Sequence, residues 1–374
     1  MLGMKINKVV LRKMRQPLKH GFQTSFADMK DKAFTVVELY TADGYMTYSE
    51  CSAIEHPWYN EETRDGAFEV IKRYLIPALF DMNRIEHPEE FYEATNWIRR
   101  NKMARAAIDC GLWSLYAQER GLSLAAAIGG TRSTVEVGVS LGIQPTPDDL
   151  CRTIEGYLEA GYRRIKCKIK PNYDLDYIKQ VRREFGDIML MADANSAYTL
   201  DQIETFKALD EYNLLMIEQP LASDDIVDHR HLQQAIHTPI CLDESIDSVE
   251  DARKAIELGS CKTINIKLAR VGGITEAKKI HDLCAAHNIP VWSGGMLDTG
   301  IARAYNLAIA SLPNYSLPHD IPDAERYWAV DLVRDTVKVG ANSSLTVPTS
   351  IGLGMSVASE RVEQFTEERV EFVR

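Results

Sequence analysis

From Val135 onward, short apolar runs and longer amphipathic stretches take turns along the chain, and no other feature limits the fold as strongly. The apolar runs read "VEVGVSLGI", "RRIKCKIK", "IMLMAD", "LLMIE", "ICLD", "TINIK" and "PVWS". Between them lie helical patterns such as "TPDDLCRTIEGYLEAG", "DLDYIKQVRREFG" and "GITEAKKIHDLCAAHN". Strands without a polar face, each followed by a helix, mean a parallel sheet under helical cover. Each unit takes about 25 residues. Seven units, with "NYSLPHD" as a weak eighth strand, predict a closed β/α barrel rather than an open doubly wound sheet. No GxGxxG turn follows the first strand, which points the same way.

The first third has a different character. "KAFTVVELYTADGYMTYSECSA" predicts two strands joined at Asp43-Gly44, a strong hairpin signal. Helical patterns follow from Glu61 and again through "NWIRRNKMARAAIDCGLWSLYAQERG", which Gly121 ends. The tail from about Asp320 carries one more strand-like run, "TVKVG", and is expected to return to this first lobe. At 374 residues and 45% hydrophobic, the chain can build two cores. Its net charge of −11 argues against a nucleic-acid or anionic-membrane partner. Seven scattered cysteines without a CxxC pair fit reduced thiols. No run approaches the roughly 18 apolar residues of a membrane span, nor does the N-terminus read as a signal peptide. A cytoplasmic protein is expected, and a homo-oligomer is compatible with the composition.

Chemistry enters at the last residue of each barrel strand. The second strand ends "KCKIK", the third at Asp193, the fourth at Glu218, the fifth at Asp243 and the sixth at Lys267. Positions 193, 218, 243 and 267 fall 25, 25 and 24 residues apart, one βα unit each. Barrel enzymes place their reactive groups at the C-terminal ends of strands, so these side chains should meet at one mouth. Three carboxylates on neighbouring strands make an oxygen-only set suited to a hard divalent cation, Mg²⁺ in the first place, with Mn²⁺ as the alternative. A small-molecule substrate carboxylate bound there would sit between the lysines of the second and sixth strands.

Lys166 and Lys168 share one face of their strand, because side chains alternate. Like charges so placed oppose each other, and a lysine beside a second ammonium and a divalent cation should lose its proton more easily. Such a group can act as a base near neutral pH. Any one of these residues could be a helix cap, an ion-pair partner or part of a solvated face. That bland explanation would have to hold at five consecutive strand ends in register.

Together these residues resemble the enolase superfamily, specifically its muconate-lactonising subgroup. Closer similarity lies with o-succinylbenzoate synthases and N-succinylamino acid racemases, through "RRNKMARAAID", "VGVSLGIQ", "IKCKIKP", "ADANSAYTL", "IEQPL", "TPICLDES", "INIKLARVGG" and "PVWSGGMLDTGIARA". The resemblance implies a (β/α)7β barrel under an α+β cap. Residues 1–125 and 320–374 would form the cap, and 126–319 the barrel. It implies abstraction of a proton α to a carboxylate, with the enediolate held by a metal on Asp193, Glu218 and Asp243. Lys168 would be the base, Lys166 would lower its pKa, and Lys267 would stabilise the enediolate or serve as a second acid/base.

For the synthase, the implied reaction is syn dehydration of a succinyl-hydroxycyclohexadiene carboxylate to 2-succinylbenzoate. Ser140, Gly294, Gly295, Met296 and Leu297 should line the pocket, with backbone amides near the glycines holding the succinyl carboxylate. Phe22, Phe26, Trp58 and Tyr59 sit on segments expected to close over the mouth. Glu244 should orient neighbouring groups, and Arg270 should tune Lys267. Ser114 and Asp298 depart from the relatives, which usually carry Asp and often Glu there. The absence of an Asp-x-Asp near "SGGM" argues against a dipeptide substrate. A non-catalytic binding protein on this scaffold would have lost a base or a ligand, and none is missing.

Overall fold

A computed structural model describes residues 3–23, 28–340 and 342–374. Strand β1 (Ile6–Gln23) pairs antiparallel with β2 (Asp28–Thr41), and β2 turns at Asp43-Gly44 into β3 (Met46–Cys51). Gly44 takes φ +90°, a conformation that costs a glycine little. The two strands that open the barrel region are short. β4 (Thr134–Glu136) precedes β5 (Gly138–Leu141) and pairs with β12 (Ser344–Thr346). The last strand, β13 (Thr366–Val373), lies on the free edge of β1, giving the order β13-β1-β2-β3. The returning strand is therefore "TEERVEFV" and not "TVKVG". In the latter, Val337 and Val339 lean on the barrel core as irregular chain, and the Val339 amide donates to Asp323 Oδ1 at 2.6 Å.

The barrel runs in sequence through β5, β6 (Arg164–Lys168), β7 (Met189–Asp193), β8 (Ile217–Glu218), β9 (Ile240–Leu242), β10 (Thr263–Ile266) and β11 (Val291–Ser293), all parallel. Residues 315–320 close it. Tyr315 bridges to Val291 and His319 to Val137, and the Asp320 amide donates to Ser293 O at 2.9 Å. The eighth strand is thus real but held by isolated bridges. Alternation sorts the strand residues. Ile165, Cys167, Leu190, Ala192, Ile240 and Leu242 face the helices, whereas Met191, Met216, Cys241 and Trp292 form a separate plug inside the barrel. Above that plug the inward positions turn polar, and there the site begins.

Helix Lys102–Glu119 joins the two lobes, with Leu112 in the cap core and Trp113 in the barrel core. Its Asp109 accepts from the amide and hydroxyl of Thr275 at 3.0 and 2.5 Å. In this way it caps the barrel helix Ile274–Ala286, whose own first flanking residue, Gly273, has no side chain to offer. Gly273 sits at φ +109°, and a Cβ there would meet Asp109 Oδ2 at 2.3 Å. Ser114 is buried in the cap, sharing a hydrogen bond with Thr47 at 2.8 Å, away from the strand ends. All seven cysteines are buried and unpaired. Among the described residues, no helix is long and apolar enough to cross a membrane.

Candidate active site

Parallel register brings the strand ends level. Lys168 aligns with Asp193, Asp193 with Glu218, and Ser140 with Lys166. Asp243 and Lys267 each follow their strand by one residue. Lys168 Nζ lies 2.6 Å from Asp193 Oδ2, and Lys166 Nζ lies 3.1 Å from the same oxygen. The like-charge contact posed by the KxK pair is therefore bridged by a carboxylate. Lys166 also reaches Glu218 Oε2 at 2.9 Å and Asp320 Oδ2 at 2.6 Å. Burial opposes the charge on Lys166, but Asp320, Glu218 and Asp193 outweigh it and hold the ammonium well above the usual lysine range. Across the mouth, Lys267 Nζ lies 2.8 Å from Asp243 Oδ2, and its proton is likewise held firmly by Asp243 against burial.

Neutral amides fix these carboxylates. Asn265 Nδ2 donates to Glu218 Oε1 at 2.7 Å, and the Asp243 amide donates to Gln219 Oε1 at 2.9 Å. Asn195 accepts from Lys168 and donates to Glu244 Oε1 at 2.9 Å. Burial and the adjacent Asp243 push the Glu244 carboxyl up to about 7. Arg270 is buried, pairs with Asp243 and donates to Ile246 O and Asn265 O. It supports Asp243 from behind and is linked to Lys267 through that shared carboxylate and through Tyr59, whose hydroxyl donates to Asp243 Oδ1 at 3.2 Å and accepts from Lys267 and Arg270.

One cavity touches all three lysines together with Ser140, Tyr59, Gly295, Met296 and Leu297. Gly294 lies just behind it. A Cβ there would come within 2.8 Å of Lys267 Cε, so the lysine's path requires a glycine. The Met296 amide is occupied, donating to Asp298 Oδ2 at 3.1 Å. Trp58 is 40% exposed and packs at a tilt on His56 in an outer groove, so it does not line this cavity. Its neighbour Tyr59 turns inward instead. Phe26 lies outside the described residues, as does the side chain of Phe22.

Asp320, Asn195, Gln219 and Asn265 belong to the site without having been singled out by sequence. Asn265 stands two residues before Lys267 on the same strand face, a spacing that could have found it.

A divalent cation fits the donor set. Asp193, Glu218 and Asp243 offer buried carboxylate oxygens only, which suits a hard ion. Asp243 Oδ2 makes no hydrogen bond, although Lys267 neutralises it. Among the described residues the acids do not close into a metal cage, because each is turned to a lysine or arginine.

A closed β/α barrel, capped by an α+β lobe, with carboxylates on three successive strands and lysines on either side, defines the architecture of the enolase-type barrel enzymes. Comparison agrees. The mandelate racemase/muconate lactonizing enzyme N-terminal domain matches residues 6–129, and the enolase C-terminal domain-like family matches residues 149–362. The chain belongs to the enolase superfamily, in its mandelate racemase/muconate lactonizing branch, and this membership implies a divalent metal ion. It is 50% identical to an o-succinylbenzoate synthase from Geobacillus kaustophilus over 98% of this chain and 97% of that one. It is 42% identical to an N-succinylamino acid racemase from Thermus thermophilus, over 97% of this chain and 98% of that one. A solved enolase-superfamily structure from Listeria innocua superposes with a TM-score of 0.95 at 40% identity, covering 99% of both chains.

Proposed function

We propose that this protein is a Mg²⁺-dependent o-succinylbenzoate synthase, dehydrating 2-succinyl-6-hydroxy-2,4-cyclohexadiene-1-carboxylate to 2-succinylbenzoate in menaquinone biosynthesis. The observation that carries the reading is the near full-length similarity to o-succinylbenzoate synthases, on a chain that keeps three lysines around one cavity and pairs them with the three strand-end carboxylates. In this reading residues 1–125, joined by the last strand Thr366–Val373, form the cap, and 126–320 the catalytic barrel.

Mg²⁺, held by Asp193, Glu218 and Asp243, would supply positive charge for the oxyanion that develops when the α-proton leaves. Lys168 Nζ takes that proton and returns it to the departing hydroxyl on the same face. One C–H and one C–O bond break, water leaves, and the ring becomes aromatic. Lys166, pinned by three carboxylates, stays charged beside Lys168 and adds positive charge next to the developing enediolate. Lys267 faces the same carbon from the other side and stabilises the enediolate with its charge. Ser140 and the segment Gly294–Leu297 shape the pocket, and Tyr59 excludes water from Lys267.

N-succinylamino acid racemisation is the second reading. It is favoured by the placement of Lys267 opposite Lys168, since inversion needs a proton partner on each face, and by the similarity to the Thermus racemase. The deciding measurement is kcat/KM for the synthase substrate with Mg²⁺, in wild type and Lys168→Ala. Efficient wild-type turnover that falls at least about 10²- to 10⁴-fold in the variant supports both enzyme and base. Negligible wild-type turnover removes the synthase reading, and turnover surviving in the variant removes Lys168 as the base.

A further inference from the structure

Four cationic side chains line the cavity at the strand ends, namely Lys166, Lys168, Lys267 and Arg303. The lysines hold carboxylates at 2.6–2.8 Å. Arg303 differs, because no carboxylate of the described residues lies within 4.0 Å of its guanidinium. It sits in the first turn of helix Gly300–Ala310 and is 2% exposed. Nη1 donates to the Pro322 carbonyl, whereas Nε is buried with no hydrogen-bond partner. Asp298 Oδ2 accepts from Met296 N and Asn306 Nδ2, and Asp331 Oδ1 accepts from Gly300 N. Asp331 Oδ2 has no hydrogen-bond partner, and both acids feel the Arg303 charge without pairing with it. A buried cation with an unmade hydrogen bond is costly unless an anion completes it.

We propose that Arg303 anchors the second carboxylate of the substrate, the one at the end of the acyl arm. The apolar side chains of Leu297, Ile321 and Pro322 share this cavity with Arg303 and can receive the methylene groups of that arm. A planar guanidinium matches a carboxylate with two parallel donors, which neither the lysines nor a single amide can do. The backbone amide of Met296, also at this cavity, is already bonded to Asp298 Oδ2. The inference rests on the reading of the substrate as a succinyl compound and sharpens it, since the cavity would select dicarboxylates by holding one carboxylate among the lysines and the other on Arg303.

The test compares 2-succinylbenzoate with 2-butyrylbenzoate, which carries a methyl group in place of the terminal carboxylate, as ligands of the Mg²⁺-loaded protein. Wild type should prefer the diacid by roughly ten- to a hundredfold, the range for a hydrogen bond to a charged group. In Arg303→Met the preference should collapse towards one, and Arg303→Lys should keep part of it. Equal weakening of both ligands, with the preference intact, would overturn the anchor and leave Arg303 as a brace for the Pro322 segment. A wild type that binds the two alike, or binds neither, overturns it as well. Synthase turnover is read separately, so a chain that prefers the diacid yet dehydrates nothing would lose the proposed reaction and keep the anchor.

Discussion

Asp320 holds the ammonium of Lys166 at 2.6 Å from the last barrel strand, and with its other oxygen it holds Arg164 Nη2 at 2.6 Å. Both basic residues are buried against the Trp292 ring. Asp320 thus fixes the inner member of the KxK pair and sets which way it points. Asp320→Asn would leave two buried cations short of a partner. The expected loss is about 3–5 kcal/mol of unfolding free energy, read by urea denaturation, together with a fall in kcat because Lys166 loses one of the three carboxylates that aim it. An unchanged unfolding midpoint would show that Arg164 and Lys166 find other partners.

A second buried ion pair ties the cap to the pocket wall. Lys32 of β2 and Glu50 of β3 are fully buried and paired. Lys32 Nζ also donates to Leu297 O at 3.1 Å, and Glu50 accepts from Thr299 Oγ1 at 2.6 Å. Two residues of the cap thereby hold both ends of the loop around Asp298. Lys32→Met strands the Glu50 charge and should cost about 3–5 kcal/mol, whereas Lys32→Met with Glu50→Gln should cost less than the sum of the single changes. A double-mutant cycle by urea unfolding measures the coupling, and additive costs would refute it.

The barrel and its strand-end acids are legible in the sequence because βα units repeat. Each carboxylate ends an apolar run one unit after the last, so periodicity alone aligns Asp193, Glu218 and Asp243. Asp320 breaks that rule. Its strand, "NYSLPHD", contains Pro318 and has no apolar run, and it is assembled by bridges from its neighbours rather than by its own pattern. Loops carry no period either. Nothing local distinguishes Trp58 from Tyr59, and only the packing of the cap decides that the second turns inward. Lys32 and Glu50 lie 18 positions apart on neighbouring strands and meet only through long side chains, and the contact with Leu297 depends on how the lobes dock. Arg303 lies within a motif whose resemblance is plain, yet its unmet donor is visible only once the Pro322 segment is folded against it.

Stability should also fall on the acid side through His319. Its Nδ1 accepts from Ser293 N at 3.1 Å, so the ring is neutral there. Burial, with Arg164 and Arg132 nearby, pushes its pKa down to about 3 from 6.5. Between those values the unfolded chain binds a proton that the folded chain refuses, so stability drops as pH falls from 6.5 towards 3. The contribution approaches about 1.4 kcal/mol per pH unit. His319→Gln removes it. Unfolding free energies from pH 4 to 8 should show a shallower acid slope in the variant, by nearly one proton, and equal slopes would mean that the imidazole is protonated in the fold.

Glu218 gives the cleanest separation of metal binding from folding. It is fully buried, and burial together with Asp193 raises its carboxyl well above the usual range, so its ionised form needs cations nearby. Without a metal, Lys166 and Asn265 supply that partner at 2.9 and 2.7 Å. Glu218→Gln keeps the shape, keeps an acceptor for Asn265 and leaves Lys166 with Asp193 and Asp320. The metal-free variant should therefore unfold close to wild type. Ion binding is a different matter, because one of three anionic donors is gone. A Mg²⁺ titration should raise the unfolding free energy of wild type by about 2.7 kcal/mol at a hundred times Kd, and should raise that of the variant far less at the same concentration. Thermal melts with and without Mg²⁺, preceded by chelation, measure both numbers. An equal Mg²⁺ gain in the two proteins would take Glu218 out of the metal site, and with it the assignment of the three strand-end acids as one set.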